Sequence, residues 1–259
     1  MEKGTLIRGK YEVLEFLGHG GMSNVYLVLD LKLEKRWAAK EILRPQNERE
    51  EHIYIQSARN EVAIMKRLEH SALPRIVDVV EEQNGIYVIM DYIEGESLET
   101  VLKKGVSIEQ EKVLRWAKEL CEVLDYLHGQ EPPIIYRDMK PANIMVTQSG
   151  SIKLIDFGSV REYKVQSEAD TVCLGTRGYA APEQFGGRGQ TDVRTDIYSL
   201  GMTLYHLLTG EEPWENAAEL LLEGDRQNKL TAGWKYILKK CIWRNRICDI
   251  KAAENYYGT

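Results

Sequence analysis

The hydrophobic pattern of this chain turns from mostly strand-like to mostly helical near residue 91, and that change limits the architectures open to it. Before it, Tyr11 to Leu17, Val25 to Asp30 and Trp37 to Ile42 are short apolar runs bounded by Gly or charged turns, which predicts strands. A helix is expected from Glu48 to Leu68, where Ala58, Val62, Met65 and Leu68 recur at spacings of three and four. Ile76 to Val80 and Ile86 to Met90 flank Asn84-Gly85, a dipeptide suited to the positive φ angles of a tight hairpin. Helical spacing then takes over. Ser107-Ile108-Glu109-Gln110 reads as a capping box opening a helix with Leu114, Ala117, Cys121, Leu124 and Leu127 on one face. Two short apolar segments follow, Ile144 to Val146 and Ile152 to Ile155, and then a Gly-rich stretch to about Arg188. Ile197 to Leu208 is almost wholly apolar, the pattern of a helix buried on all sides. A strand-rich part followed by a larger helical part is an α+β layout, with a hinge expected over Asp91 to Ser97.

Composition narrows the function classes. A chain of 259 residues can bury a substantial core, and 43% apolar with 29% charged residues excludes wholesale disorder. The net charge of −6 gives no electrostatic case for binding nucleic acid. No uncharged stretch approaches the roughly 18 residues of a membrane span, and Met1 to Thr5 lacks the apolar run of a signal peptide. Cys121, Cys173, Cys241 and Cys248 lie far apart, without metal or disulfide spacing, so a reduced, cytoplasmic chain is expected. Residues 226–259 hold eight Lys and Arg against two Asp and Glu, a basic end that reads first as a solvated one.

Several segments carry chemistry. Gly18-His19-Gly20-Gly21-Met22-Ser23-Asn24-Val25 stands between the first two strands; its glycines would let backbone amides approach an anion, although alone it reads as a Gly-rich hairpin turn. Lys40 ends the apolar strand Trp37-Ala38-Ala39-Lys40, and Glu61 lies in the expected helix. Tyr136-Arg137-Asp138-Met139-Lys140-Pro141-Ala142-Asn143 puts a candidate base, two cations and an amide oxygen into one short loop. Asp156-Phe157-Gly158 follows with a second carboxylate, so Asn143 and Asp156 make a plausible Mg²⁺ site beside phosphate oxygens. Either motif alone would pass for a polar turn; both in this order would not.

The ordered set, completed by Ala181-Pro182-Glu183, resembles the protein kinases, most closely the eukaryotic-like Ser/Thr kinases of bacteria, from about Tyr11 to Cys241. The resemblance implies a two-lobed fold: a small antiparallel-sheet lobe with one helix (11–92) and a larger, mainly helical lobe (97–259), preceded by an extension over residues 1–10. It implies an ATP-dependent protein Ser/Thr kinase using Mg²⁺, or Mn²⁺ in its place, acting on protein substrates; the oligomeric state is left open. Gly18, Gly20, Gly21, Ser23 and Val25 would cover the ATP phosphates, and Lys40, held by Glu61, would bind two of them. Ala38 and the gatekeeper Met90 would line the adenine site, with hinge residues Asp91 and Ile93 offering backbone groups to the base. Asp138 would take the substrate proton, Lys140 would steady the γ-phosphate, and Asn143 and Asp156 would hold the metal. Thr176 would bridge the catalytic loop to the substrate groove, and Asp196 would brace that loop from beneath. Arg137 would pair with a phosphate on Ser167 or, by preference, Thr171.

The chain departs from the family at three places. Ser23 stands for the third loop glycine and Tyr136 for the usual His, neither of which removes a catalytic group. After Lys240-Cys241, Arg246 and Asp249 occupy the positions expected of a proline and an arginine. Glu183 then lacks its family partner, so either Arg244 or Arg246 replaces it or Glu183 is solvated, and the C-terminal end is atypical or shortened. A nucleotide-binding pseudokinase scaffold is the runner-up reading.

Overall fold

The alternating strands of the first ninety residues form one antiparallel sheet. A computed structural model describes residues 1–20, 23–43, 48–82, 85–163, 175–185, 190–213 and 230–242, with the backbone alone for 48–54 and 57. The polypeptide divides after Glu94 into two units, Met1–Glu94 and Gly95–Thr259.

In the first unit, β1 (Leu6–Ile7), β2 (Tyr11–His19), β3 (Ser23–Asp30), β4 (Lys35–Leu43), β5 (Ile76–Glu82) and β6 (Gly85–Asp91) make a six-stranded sheet in the order β1-β2-β3-β4-β6-β5. Every pairing is antiparallel, as short connections favour for all but β4 and β6, which are linked through α1 and β5. Residues 1–10, expected as an extension, contribute to this sheet: Leu6 and Ile7 pair with Glu12 and Tyr11, and Ile7 is buried. One face closes over Tyr11, Val13, Tyr26, Val28, Trp37, Ala39, Val80, Tyr87 and Ile89. The helix α1 (Glu48–Met65) buries Ala58, Val62 and Met65, and a turn closed by Leu68 N–H on Met65 C=O ends it before Leu68. Asn84 lies outside the described residues.

The second unit is mainly helical. It contains β7 (Gly95–Ser97), α2 (Leu98–Lys103), α3 (Gln110–His128), β8 (Ile134–Ile135), β9 (Ile144–Thr147), β10 (Ile152–Leu154), β11 (Arg161–Glu162), α4 (Val193–Thr209) and α5 (Ala232–Ile242). Single 3₁₀ turns stand at Pro141–Asn143 and Pro182–Gln184. The strands pair as β10-β9-β7 and β11-β8, and α4 packs on both α3 and α5. The apolar run expected to be buried all round is α4, whose buried residues include Leu200, Gly201, Met202, Leu204, Leu207 and Leu208.

Two expectations for α3 are corrected. The capping box at Ser107 does not form; the chain stays extended to Glu109, whose carbonyl accepts the first helical bond from Val113 N–H, without a side-chain cap. The buried face is Val113, Trp116, Ala117, Leu120, Val123, Leu124 and Leu127, whereas Leu114 and Cys121 are half-buried. The largest side chain sets this rotation: Trp116 is buried and its Nε1 donates to Gly150 C=O at 3.0 Å. A capping box stands instead at α4, where Asp192 accepts from Arg194 N–H and its own N–H donates to Thr195 Oγ1. No helix among the described residues is long and apolar enough to cross a membrane.

Candidate active site

Strand register assembles one set of side chains in the first unit. Residues directly opposite in antiparallel strands share a face, and Gly18 faces Val25, Val25 faces Lys40, and Ala38 faces Met90. Gly18, Val25, Ala38, Lys40 and Met90 therefore lie on one side of the sheet, opposite the cluster around Trp37 and Ala39. Lys40 Nζ meets Glu61 Oε1 of α1 at 2.6 Å, with side-chain exposures of 9% and 11%. A pair so withdrawn from water holds its two side chains far more firmly than a surface ion pair does. The hairpin is closed by Gly20 N–H on Ser23 C=O at 2.7 Å, while Gly21 lies outside the described residues. A Cβ built on Gly18 would meet nothing within 4 Å, so the fold itself does not demand a glycine there.

At the end of β6, Asp91 accepts Arg75 Nε at 2.9 Å and Arg75 N–H at 3.0 Å. Burial alone would raise the Asp91 carboxyl, but the hydrogen bonds and charge of Arg75 hold it below the usual range. Ile93 follows, half-buried. On the other face Glu41, buried, accepts from Asn24 Nδ2, Tyr26 OH and Tyr87 OH at 3.0, 3.1 and 3.3 Å. Burial beside that carboxylate pushes the Tyr87 phenol up to about 12.

The second unit assembles a denser set around Asp138. Thr176 Oγ1 donates to Asp138 Oδ1 at 3.0 Å, and Lys140 Nζ reaches Asp138 Oδ2 at 2.9 Å and Thr176 Oγ1 at 2.7 Å. Asn143 Nδ2 donates to both Asp138 C=O and Asp138 Oδ2 at 2.8 Å. Asp156 Oδ1 caps Gly158 N–H at 3.0 Å, and Asn143 C=O accepts from Ile155 N–H, which ties the two motifs together. With its amide hydrogens on Asp138, Asn143 keeps an oxygen for a cation, and Asp156 adds a carboxylate. This hard, two-ligand oxygen set fits Mg²⁺, which is usually completed by phosphates and water.

The loop carrying Asp138 is bound from several elements. Arg137 has φ +68°, a left-handed conformation that costs a non-glycine residue free energy and persists only where neighbours enforce it. Asp196, wholly buried near the start of α4, accepts Tyr136 N–H at 2.8 Å and Arg137 N–H at 2.7 Å, with His128 Nε2 at 2.8 Å. Thr203 Oγ1 donates to Met139 C=O at 3.1 Å. Tyr136 packs edge-on against Phe157 at 5.6 Å, an aromatic contact in keeping with a packing role at this position. Arg137 Nε donates to Ser159 C=O at 2.5 Å, and burial together with the charge of Arg161 pulls its guanidinium down to about 10. Ser167 and Thr171 lie outside the described residues.

Two residues that sequence reasoning did not single out hold Arg137 of this loop and Glu183 beyond it. Gln184 Nε2 donates to Arg137 C=O at 2.8 Å, and Thr195 Oγ1 donates to Glu183 Oε1 at 2.8 Å. Glu183 is half-buried, and the Arg194 guanidinium, bonded to Asp192, also feels its charge. Arg244, Arg246 and Asp249 lie outside the described residues. A Gln and a Thr carry no periodicity or charge signal, so only the fold could reveal them.

The first unit thus carries the Lys40–Glu61 pair beside one face of its sheet, and the second an Asp138-centred set of carboxylate, amide, hydroxyl and ammonium groups. The protein kinase domain model matches residues 11–245, and the chain belongs to the protein kinase family. It is 36% identical over 213 residues to the serine/threonine-protein kinase PknB of Mycolicibacterium smegmatis, covering 79% of this chain and 33% of that protein. It is 32% identical over 262 residues to a probable serine/threonine-protein kinase of Clostridium acetobutylicum, covering 98% and 39%. PknB of Mycobacterium tuberculosis is 34% identical over 212 residues, covering 79% and 33%. The chain spans about a third of the length of these curated relatives.

Proposed function

We propose that the chain transfers the γ-phosphate of ATP to Ser or Thr hydroxyls of proteins, itself included. The constellation around Asp138 supports this best. Asp138 takes the proton as the substrate hydroxyl oxygen attacks the γ-phosphorus and the bond to the ADP oxygen breaks. Lys140, within 2.9 Å of that carboxylate, offers the cation that balances the charge developing on the transferred group. Thr176 positions the hydroxyl end of the substrate through its bonds to both. Asn143 and Asp156 would hold Mg²⁺, or Mn²⁺ in its place, and the ion would neutralise phosphate charge when bound. Lys40, held by Glu61, binds the non-transferred phosphates; Gly18, Gly20, Gly21, Ser23 and Val25 cover them, and Ala38, Met90, Asp91 and Ile93 receive the base.

A pseudokinase scaffold is disfavoured, because no phosphotransfer group is missing. Regulation follows from Arg137: a buried guanidinium beside a second cation, Arg161, suits a phosphate of about −1.5 to −2 charge on Thr171 or Ser167. Four cysteines without framework spacing favour a reducing, cytoplasmic setting. Incubation with γ-labelled Mg-ATP and a generic basic protein substrate tests the reading. Acid-stable label on Ser and Thr is expected, and ATP binding without transfer would return the pseudokinase.

A further inference from the structure

Gln184 is 3% exposed, and both ends of its amide are bonded, one within its own turn and the other to the loop that carries Asp138. Its Oε1 accepts Ala181 N–H at 2.9 Å and its Nε2 donates to Arg137 C=O at 2.8 Å. Room for the amide depends on residue 175. Gly175 has φ +143°, and a Cβ there would lie 2.5 Å from Ala180 Cβ and 3.1 Å from Gln184 Nε2. The residue after Gly175 is Thr176, and the residue after Arg137 is Asp138, which are themselves joined at 3.0 Å. One amide nitrogen thus bonds the residue before Asp138 and occupies space that only a glycine before Thr176 leaves open.

We propose that Gln184 is a positioning residue for phosphotransfer, fixing Asp138 against Thr176 by clamping the Arg137 carbonyl. This rests on the kinase reading above. The clamp acts on a left-handed residue, where Asp196 holds the N–H of Arg137 and Gln184 holds its C=O. Without the donor, the left-handed peptide can rotate, and a shift of about 1 Å at a reacting group costs up to about 100-fold in rate. Gln184 never meets the substrate, so its effect falls on kcat and not on the KM for ATP.

The test uses the full chain with Gln184→Glu and Gln184→Met. In Gln184→Glu the new carboxylate, when ionised, sets an acceptor against the Arg137 carbonyl. Burial raises the pKa of such a carboxyl, and its neutral form both accepts and donates as the amide does. We expect kcat relative to the parent to be about 10- to 100-fold lower near pH 8.5 and to recover several-fold near pH 6, with the ATP KM unchanged. Expressing activity relative to the parent at each pH cancels the titration of the other groups. Gln184→Met keeps length and volume without a donor, and should lose kcat equally at both pH values. Full activity in Gln184→Met, or a ratio for Gln184→Glu that does not change with pH, overturns the proposal. An inactive parent would overturn the kinase reading as well, and this is seen before any variant is compared.

Discussion

The sheet unit and the helical unit hold their functional groups by different means. In the first, Lys40 is placed by strand register and tied to Glu61 by an ion pair. In the second, Asp138 follows a left-handed residue, and side chains from distant segments grip the surrounding backbone: Asp196 on two N–H groups, Gln184 and Thr203 on two carbonyls. A site built on register inherits its geometry from every rung of the ladder. A site built on a loop is only as firm as the polar contacts that reach it. The two should therefore fail differently when single groups are removed.

Chemistry should fail most steeply. Asp138→Asn is expected to lower kcat by about 10²- to 10⁴-fold while leaving ATP affinity near that of the parent, because the proton is taken only in the transition state. Steady-state rates beside an ATP titration check it, and a variant that turns over normally removes Asp138 as the base.

Stability separates the units next. Lys40→Met or Glu61→Gln alone breaks an ion pair that is nearly closed to water, at a cost on the order of 3 kcal/mol. The double substitution should return most of that loss, since neither charge then remains. Asp196→Ala should cost about as much, because two buried backbone N–H groups lose their acceptor. No second side-chain substitution can repair it, since the stranded donors are main chain. Thermal melts of the four variants decide the contrast; a double variant at Lys40 and Glu61 no better than the singles would erase it.

This contrast also explains what could be read from the sequence. The runs at Tyr11, Val25, Trp37, Ile76 and Ile86 lie in strands because alternation and turn residues act locally. Lys40, Glu61, Asp138, Lys140, Asn143 and Asp156 stood out because charge and amide chemistry is visible in one dimension. Gln184 and Thr195 did not, since their partners, Arg137 and Glu183, are fixed by tertiary contacts. The face of α3 was misread for a similar reason: the pattern admits two stripes, and the bond from Trp116 to Gly150 selects between them.

A smaller effect is expected at Glu183. Thr195→Val keeps the shape but removes the hydroxyl that donates to Glu183 at 2.8 Å and accepts Asp192 N–H at 3.2 Å, at about 1–2 kcal/mol, and Thr195→Ser should restore most of it. Unfolding curves in denaturant suffice. An unchanged midpoint for Thr195→Val would mean that Glu183 is held from elsewhere.

The smallest effect is a titration. His206 Nδ1 lies 2.6 Å from Tyr179 OH, and burial holds the imidazole below its ordinary pKa, against the opposing charges of Glu212 and Glu99. The folded state thus favours neutral His206. Its contribution is full above the unfolded pKa and is lost as pH falls through the lower folded value. Between about pH 7.5 and 5.5 the parent should lose ~1 °C more in Tm than His206→Asn does. Equal losses would remove His206 from the pH response.

Mass spectrometry of the purified chain after incubation with Mg-ATP, run beside Asp138→Asn, bears most directly on the central claim. The kinase reading predicts phosphate on Ser and Thr residues of the parent and none on the variant. An unmodified parent that still binds ATP and leaves an added protein substrate untouched, or equal phosphorylation of the two chains, would contradict it.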